Sequence, residues 1–335
     1  MALKHLLKRG ALLAAANWQT VAIQFVAQTT FQVLLAVPII GAAILVAVVL
    51  GADLADLLQG SMREIFTTIA SALLSEPVAL VAFMVAFSLA VFGGSVLMFL
   101  VKGGTVDVLL AAHGVAGSIE HEPITVDSLR GAAQFTLKRF TDGCSRLFRP
   151  YLMLGLLLMI VYGLSVAGYL VFVVYGYQIV SGRALIVGWT FVAALAAGVL
   201  VAWITIVNLF YLLTQVAIAI DRIGVGEAFR AVARFVRVEF RELAGIFLLV
   251  LALVVAAMFA SALAWSGVGL IAFVPLVGLA VFPLQLAALL VRGLVFEYLG
   301  LTALGAYVSL YSGDALRRTD AVKRSAVRSP VQHPV

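Results

Sequence analysis

Charge is what this sequence has least of: Asp, Glu, Lys and Arg together make up 11% of its 335 residues. A soluble domain carries roughly a quarter, so there is too little polar surface here to cover a water-exposed globule. Cysteine is nearly absent as well. Cys144 stands alone, which excludes an internal disulfide and a cysteine-based metal cluster. Histidine is scarce, and none of His5, His113, His121 and His333 falls in a His-Glu-x-x-His zinc pair. Neither a phosphate-binding Gly-Lys-Ser/Thr loop nor a dinucleotide fingerprint occurs. No Ser/His pair lies inside an apolar run, as intramembrane hydrolysis would need. Glu120, His121, Glu122 and Asp127 form the one acidic and histidine-bearing cluster, and it reads as a solvated loop. The expectation is a non-enzymatic chain with no catalytic, cofactor or metal site.

What is present is apolar. Hydrophobic residues account for 64% of the chain and the mean hydropathy is +1.15. Several runs exceed the ~20 residues that cross ~30 Å of hydrocarbon. In lipid every backbone amide must be satisfied internally, so spans are helices or a closed barrel. Runs such as 154–161 and 246–258 are continuously apolar, without the period-two alternation of a barrel. The fold class is therefore all-α, a polytopic transmembrane bundle of about six spans.

The spans are placed within 20–50 (with Pro38 inside), at 78–101, at 151–175, within 185–220, at 244–265 and at 283–311. Residues 1–17 carry Lys4, Lys8 and Arg9 before a short Ala/Leu stretch. They faintly resemble a signal peptide, but the apolar part is short and they read as an interfacial helix. An acidic connector covers 53–77, and a polar section at 102–150 contains an amphipathic helix over 126–148. A short turn lies at 181–183, and a second amphipathic helix covers 221–243. Residues 267–282, interrupted by Pro275 and three glycines, read as a re-entrant or interfacial piece. Residues 1–313 form one transmembrane domain and 314–335 a disordered basic tail.

The net charge of +6 could suggest nucleic acid, but the basic residues sit at the ends of apolar runs. That placement fits membrane topology and anionic headgroups instead. With the N-terminus inside, the four inner segments carry three, six, five and five Lys or Arg. Those 19 face only Arg63 and Arg183 outside. The asymmetry places both termini in the cytoplasm and requires an even number of spans.

Positions 100 apart repeat: Arg130 and Arg230, Ala133 and Ala233, Phe135 and Phe235, Phe140 and Phe240. Each amphipathic helix leads into two spans, and Arg9-Gly10-Ala11 echoes Arg130-Gly131-Ala132. The inferred unit is an amphipathic helix plus two spans, used at 4–101, 126–220 and 226–311. Such repetition is common in transport folds.

Two sets of residues are candidates for function. In 221–243, Phe229, Val232, Val236 and Phe240 form an apolar stripe beside a basic one of Arg230, Arg234, Arg237 and Arg241. That pattern suits a helix in the headgroup layer, where it would meet anionic lipids or a membrane or cytosolic protein partner. The second set is intramembrane: Arg292 and Glu297 lie in the last span, where charge costs ~3 kcal/mol on insertion scales. They stand five residues apart, ~140° around the helix, so each needs another partner, with Asn208, Gln215 and Gln285 available. Gln24, Gln28 and Gln32 share one face of the first span. Small residues recur at Ala194, Gly198 and Ala202 and at Gly305, Ser309 and Gly313, spacings that permit close helix packing.

The segment 224–235 entering a long span, the parallel 125–135, and Leu-Val-Lys-Gly-Gly at 100–104 together resemble a broad group of bacterial six-span membrane proteins. That group includes the membrane domain fused to some glycerophosphodiester phosphodiesterases. The resemblance covers nearly the whole chain through loose motifs and implies a bacterial inner membrane. No phosphodiesterase domain accompanies it here, so no catalytic residue carries over. The expectation is a multi-pass membrane organiser or partner-binding protein. The alternative is a transporter or channel with a polar site near Arg292 and Glu297, drawing on Asn208, Gln215, Gln28 and Gln32.

Overall fold

The structure, a computed structural model, describes residues 3–50, 77–121, 123–180, 186–272 and 277–328. Among these every regular element is a helix: α1 (Leu3–Ala16), α2 (Trp18–Leu50), α3 (Pro77–Val115), α4 (Val126–Ala132), α5 (Leu137–Val180), α6 (Ile186–Asp221), α7 (Val225–Val238), α8 (Phe240–Ala272) and α9 (Val277–Arg328). Six of them, α2, α3, α5, α6, α8 and α9, are long and apolar enough to cross a bilayer, so the protein is a multi-pass membrane protein. Leu164, Phe191 and Leu263 are each at least 70% exposed. Side chains of that kind facing outward along the apolar stretches of these helices call for a hydrocarbon solvent. The acidic connector and the turn at 181–183 lie outside the described residues.

Several boundaries differ from the sequence reading. The amphipathic helix expected over 126–148 is two pieces. Thr125 caps α4 through the Ser128 amide, and Ser128 bonds back to the Thr125 amide, the reciprocal arrangement of a capping box. The chain then extends over 133–136 before α5 starts at Leu137 and runs through Pro150 into the span. Neighbouring helices re-satisfy the freed backbone group, so a membrane helix tolerates such a proline. The helix expected over 221–243 is also broken: α6 ends at Asp221, α7 ends at Val238, and Glu239 separates it from α8. Arg222 has φ +53°, a left-handed turn of the kind that stops a helix. Of the supposed re-entrant piece, 267–272 continue α8 and 277–282 continue α9. The tail expected to be disordered from 314 is helical to Arg328.

The chain divides into two compact units, Ile23–Lys102 and the remainder. In the smaller unit α2 and α3 approach closely where Phe31 covers Gly94, since a Cβ there would fall 1.9 Å from the ring. In the larger unit the buried core gathers at one end of the helices. It comprises Leu6, Gly10 and Leu12–Ala14 of α1, Val106–Ala112 of α3, one face of α5 from Phe140 to Leu154, Leu213–Ala219 of α6, one face of α7 and Leu301–Tyr311 of α9. Along α5 burial ends at Gly155, and along α6 it begins only at Leu213. The apolar remainder of these helices faces outward.

α1 and α9 meet backbone to backbone. A Cβ on Gly10 would lie 2.2 Å from the Thr302 carbonyl oxygen, and one on Gly305 would lie 3.0 Å from Gly10 Cα. Small residues permit this approach, which is the role anticipated for Gly305. Gly103 and Gly104 are packing positions: a Cβ on Gly104 would meet the Phe140 ring at 2.7 Å.

Candidate membrane-surface site

α7 is built to lie on a boundary. Ala228, Ala231, Val232 and Phe235 are buried, spaced three and four apart so that one face turns inward. Phe235 meets the Tyr311 ring edge-on at 5.0 Å. This corrects the stripe read from sequence, because Phe240 is exposed and Phe229 and Val236 only flank the inward face. Arg230, Arg234, Arg237 and Arg241 are all exposed. Arg230 reaches back to the Gly226 carbonyl at 3.5 Å. Among the described residues no acid pairs with Arg234, Arg237 or Arg241.

Arg230, Arg234 and Arg237 line an open groove of about 750 Å³ together with Asp221, Glu227 and Arg318. Its floor is fixed. Tyr311 donates to Asp221 at 2.6 Å, and Arg318 pairs with Asp314 at 2.9 Å and approaches Asp221 at 3.8 Å. Arg317 binds Glu239 at 2.6 Å across the break between α7 and α8. These pairs hold the first residues of the tail as helix. On the flank of α7, Phe229 joins Leu154, Leu158 and Val161 of α5 and Val207 and Tyr211 of α6 around an apolar cleft of about 270 Å³.

A second polar cluster was not legible in sequence. Arg9 donates to Glu120 at 2.7 Å, to His113 Nδ1 at 3.2 Å and to the carbonyl oxygens of His113 and Gly117. Lys8 donates to the Glu120 carbonyl at 2.8 Å, and Ser309 lies 3.2 Å from His113 Nδ1. The Arg9 and Glu120 side chains are only 11% and 5% exposed. Burial alone would raise the Glu120 carboxyl. Hydrogen bonds from its own backbone and Arg9, with the charges of Arg9 and His121, outweigh it and hold the group below its ordinary value. Glu120 is thus a buried anchor and not part of a solvated loop. Asn17 links the same region, accepting from the amides of Gln134 (2.8 Å) and Phe135 (3.0 Å) and donating to Ala132.

The intramembrane candidates lie in separate surroundings. Asn208 accepts from Tyr162. Gln215 is fully buried, and its side-chain amide has no hydrogen-bond partner among the described residues, while its carbonyl accepts from Tyr151 at 2.9 Å. Arg292 is exposed, lies over the Phe296 ring at 5.7 Å, and borders an apolar groove of about 460 Å³ between α8 and α9. Asn208, Gln215 and Glu297 do not line that groove. Gln28 and Gln32 belong to the smaller unit, with Gln32 exposed. Among the described residues no group of three or more His, Cys, Asp or Glu is placed to hold a metal ion. No family model, curated protein or solved structure matches this chain.

Proposed function

We propose that the protein is a non-enzymatic membrane organiser or partner-binding protein that works through the basic face of α7. One observation carries this reading: α7 is clamped by its inward face while Arg234, Arg237 and Arg241 are exposed and, among the described residues, form no ion pair. Arginines serving only the fold are paired, as Arg9, Arg146 and Arg317 are. A stripe held rigid and left unpaired is suited to an external anion. The concentration of Lys and Arg on one side supports a cytoplasmic placement of that face and of both termini, and the resemblance in sequence to the phosphodiesterase-associated membrane domain supports a bacterial inner membrane.

A second reading is favoured by Arg292, a guanidinium on a spanning helix beside a groove. There the protein would be a transporter or channel. Replacing Cys144 by Ala and introducing Arg292→Cys separates the two readings. An organiser leaves position 292 unreactive to a membrane-impermeant maleimide from both sides in vesicles, whereas a transporter makes it reactive through water.

A further inference from the structure

We infer that α7 and the cleft beside it form a two-part site for a single anionic phospholipid. The phosphate would sit among Arg230, Arg234 and Arg237, and one acyl chain would lie in the cleft between α5 and α6. The inference rests on the organiser reading and names the ligand of its basic face. Two independent features meet at one point of the chain: Phe229 lines the cleft and Arg230, the next residue, lines the groove.

The placement follows the chain path. α6 ends at Asp221, α7 follows, and α8 re-enters an apolar run from Phe240, so α7 lies where spans meet the headgroup layer. The cleft residues on α6, Val207 and Tyr211, lie 10–14 residues before Asp221. At ~1.5 Å per residue they are roughly 15–20 Å from that end, within the reach of one acyl chain of the same leaflet. The neighbours Ile160 and Ile206 are 59% and 49% exposed, so the cleft opens sideways to lipid and not to water. Charge selects among lipids. The groove holds Arg230, Arg234 and Arg237 against Glu227, while Asp221 is already engaged by Tyr311 and Arg318. A zwitterionic headgroup would bring its own cation to a surface with a surplus of them. A phosphate diester without that cation fits.

The test uses the full-length protein, delipidated in detergent, with lipid retention read by native mass spectrometry. The probes are phosphatidylglycerol, phosphatidylcholine with the same chains, and free glycerol phosphate as competitor. Phosphatidylglycerol is expected to bind about tenfold or more tightly than phosphatidylcholine, since several surface arginines together attract its anionic headgroup. Free glycerol phosphate is expected not to displace it. The variant R230Q/R234Q/R237Q should bind both lipids equally. Val161→Phe, which fills the cleft, should weaken both while keeping the preference; Val207→Phe, from the other wall, serves if that variant does not fold. Equal binding of the two lipids by the unaltered protein overturns the inference, as does displacement by glycerol phosphate or a cleft variant without effect. Loss of the lipid preference with position 292 inaccessible overturns only this inference and leaves a protein as the partner. A water-accessible position 292 overturns the organiser reading itself.

Discussion

α1 and α7 are both short helices with a basic face, and each precedes a span, yet they use their arginines in opposite ways. In α1, Arg9 points into the protein and is surrounded by Glu120, His113 and two carbonyl oxygens. In α7, the inward face holds only Ala, Val and Phe, and the arginines point away. The difference lies in what each helix packs against. α1 lies against the glycine-lined face of α9 and beside the end of α3, whose loop supplies a carboxylate. α7 packs its Phe235 on Tyr311; Asp221 and Glu227 line the groove on its outer side, but among the described residues Arg234, Arg237 and Arg241 form no ion pair. A paired arginine fastens a helix; an unpaired one is left for a ligand.

The sharpest way to break this comparison is to remove the anchor. Glu120→Gln leaves Arg9 buried without its counter-charge, an omission that typically costs about 3–5 kcal/mol, and should lower the melting temperature in detergent strongly. Its pH dependence has a definite sign. The folded-state value of Glu120 lies below the ordinary 4.5, so its stabilisation is complete above that value and lost as pH falls through the depressed one. The gap between unaltered protein and Glu120→Gln should be full at pH 7 and close in acid below 4.5. A gap independent of pH would separate Glu120 from the anchoring role.

Next in size is Gly10→Ala. The added methyl would meet the Thr302 carbonyl at 2.2 Å, and overpacking of this kind costs about 1–3 kcal/mol. α1 should loosen from α9, which faster amide exchange in residues 3–16 would report. Unchanged exchange would mean that the two backbones are not in contact.

The smallest stability effect belongs to R230Q/R234Q/R237Q. Exposed substitutions away from packed features usually stay within about 0.5 kcal/mol each, so the melting temperature should hardly move. A large loss would show that these arginines also serve the fold, and the contrast with Arg9 would disappear.

Much of the architecture was readable from hydropathy alone, because ~20 apolar residues have few places to go other than lipid. All six expected apolar runs lie within helices long enough to span, although α3, α5 and α9 extend well beyond them into polar sequence. Details that depend on rotation or long-range contact were not readable. An amphipathic stripe defines a face only to within a residue or so, and aromatic residues at a boundary can face lipid as well as core. Phe235 therefore took the inward position instead of Phe240. The glycines of 267–282 read as breaks in the sequence, yet Gly267 and Gly269 lie within α8 and Gly278 within α9, while Pro275 lies outside the described residues. The anchor at Arg9 was invisible because His113 and Glu120 lie more than 100 residues away in sequence. Its only local trace was an arginine placed next to Gly10, the point where α1 touches α9.

The most direct test of the α7 arginine face as a cytoplasmic surface is its sidedness. In a Cys144→Ala background, Arg234→Cys and Arg183→Cys can each be labelled by a membrane-impermeant maleimide in intact and in inverted vesicles. Position 234 should react only from the cytoplasmic side and position 183 only from the opposite one. Labelling of both from the same side, or of position 234 from outside, would contradict the placement on which its proposed function depends.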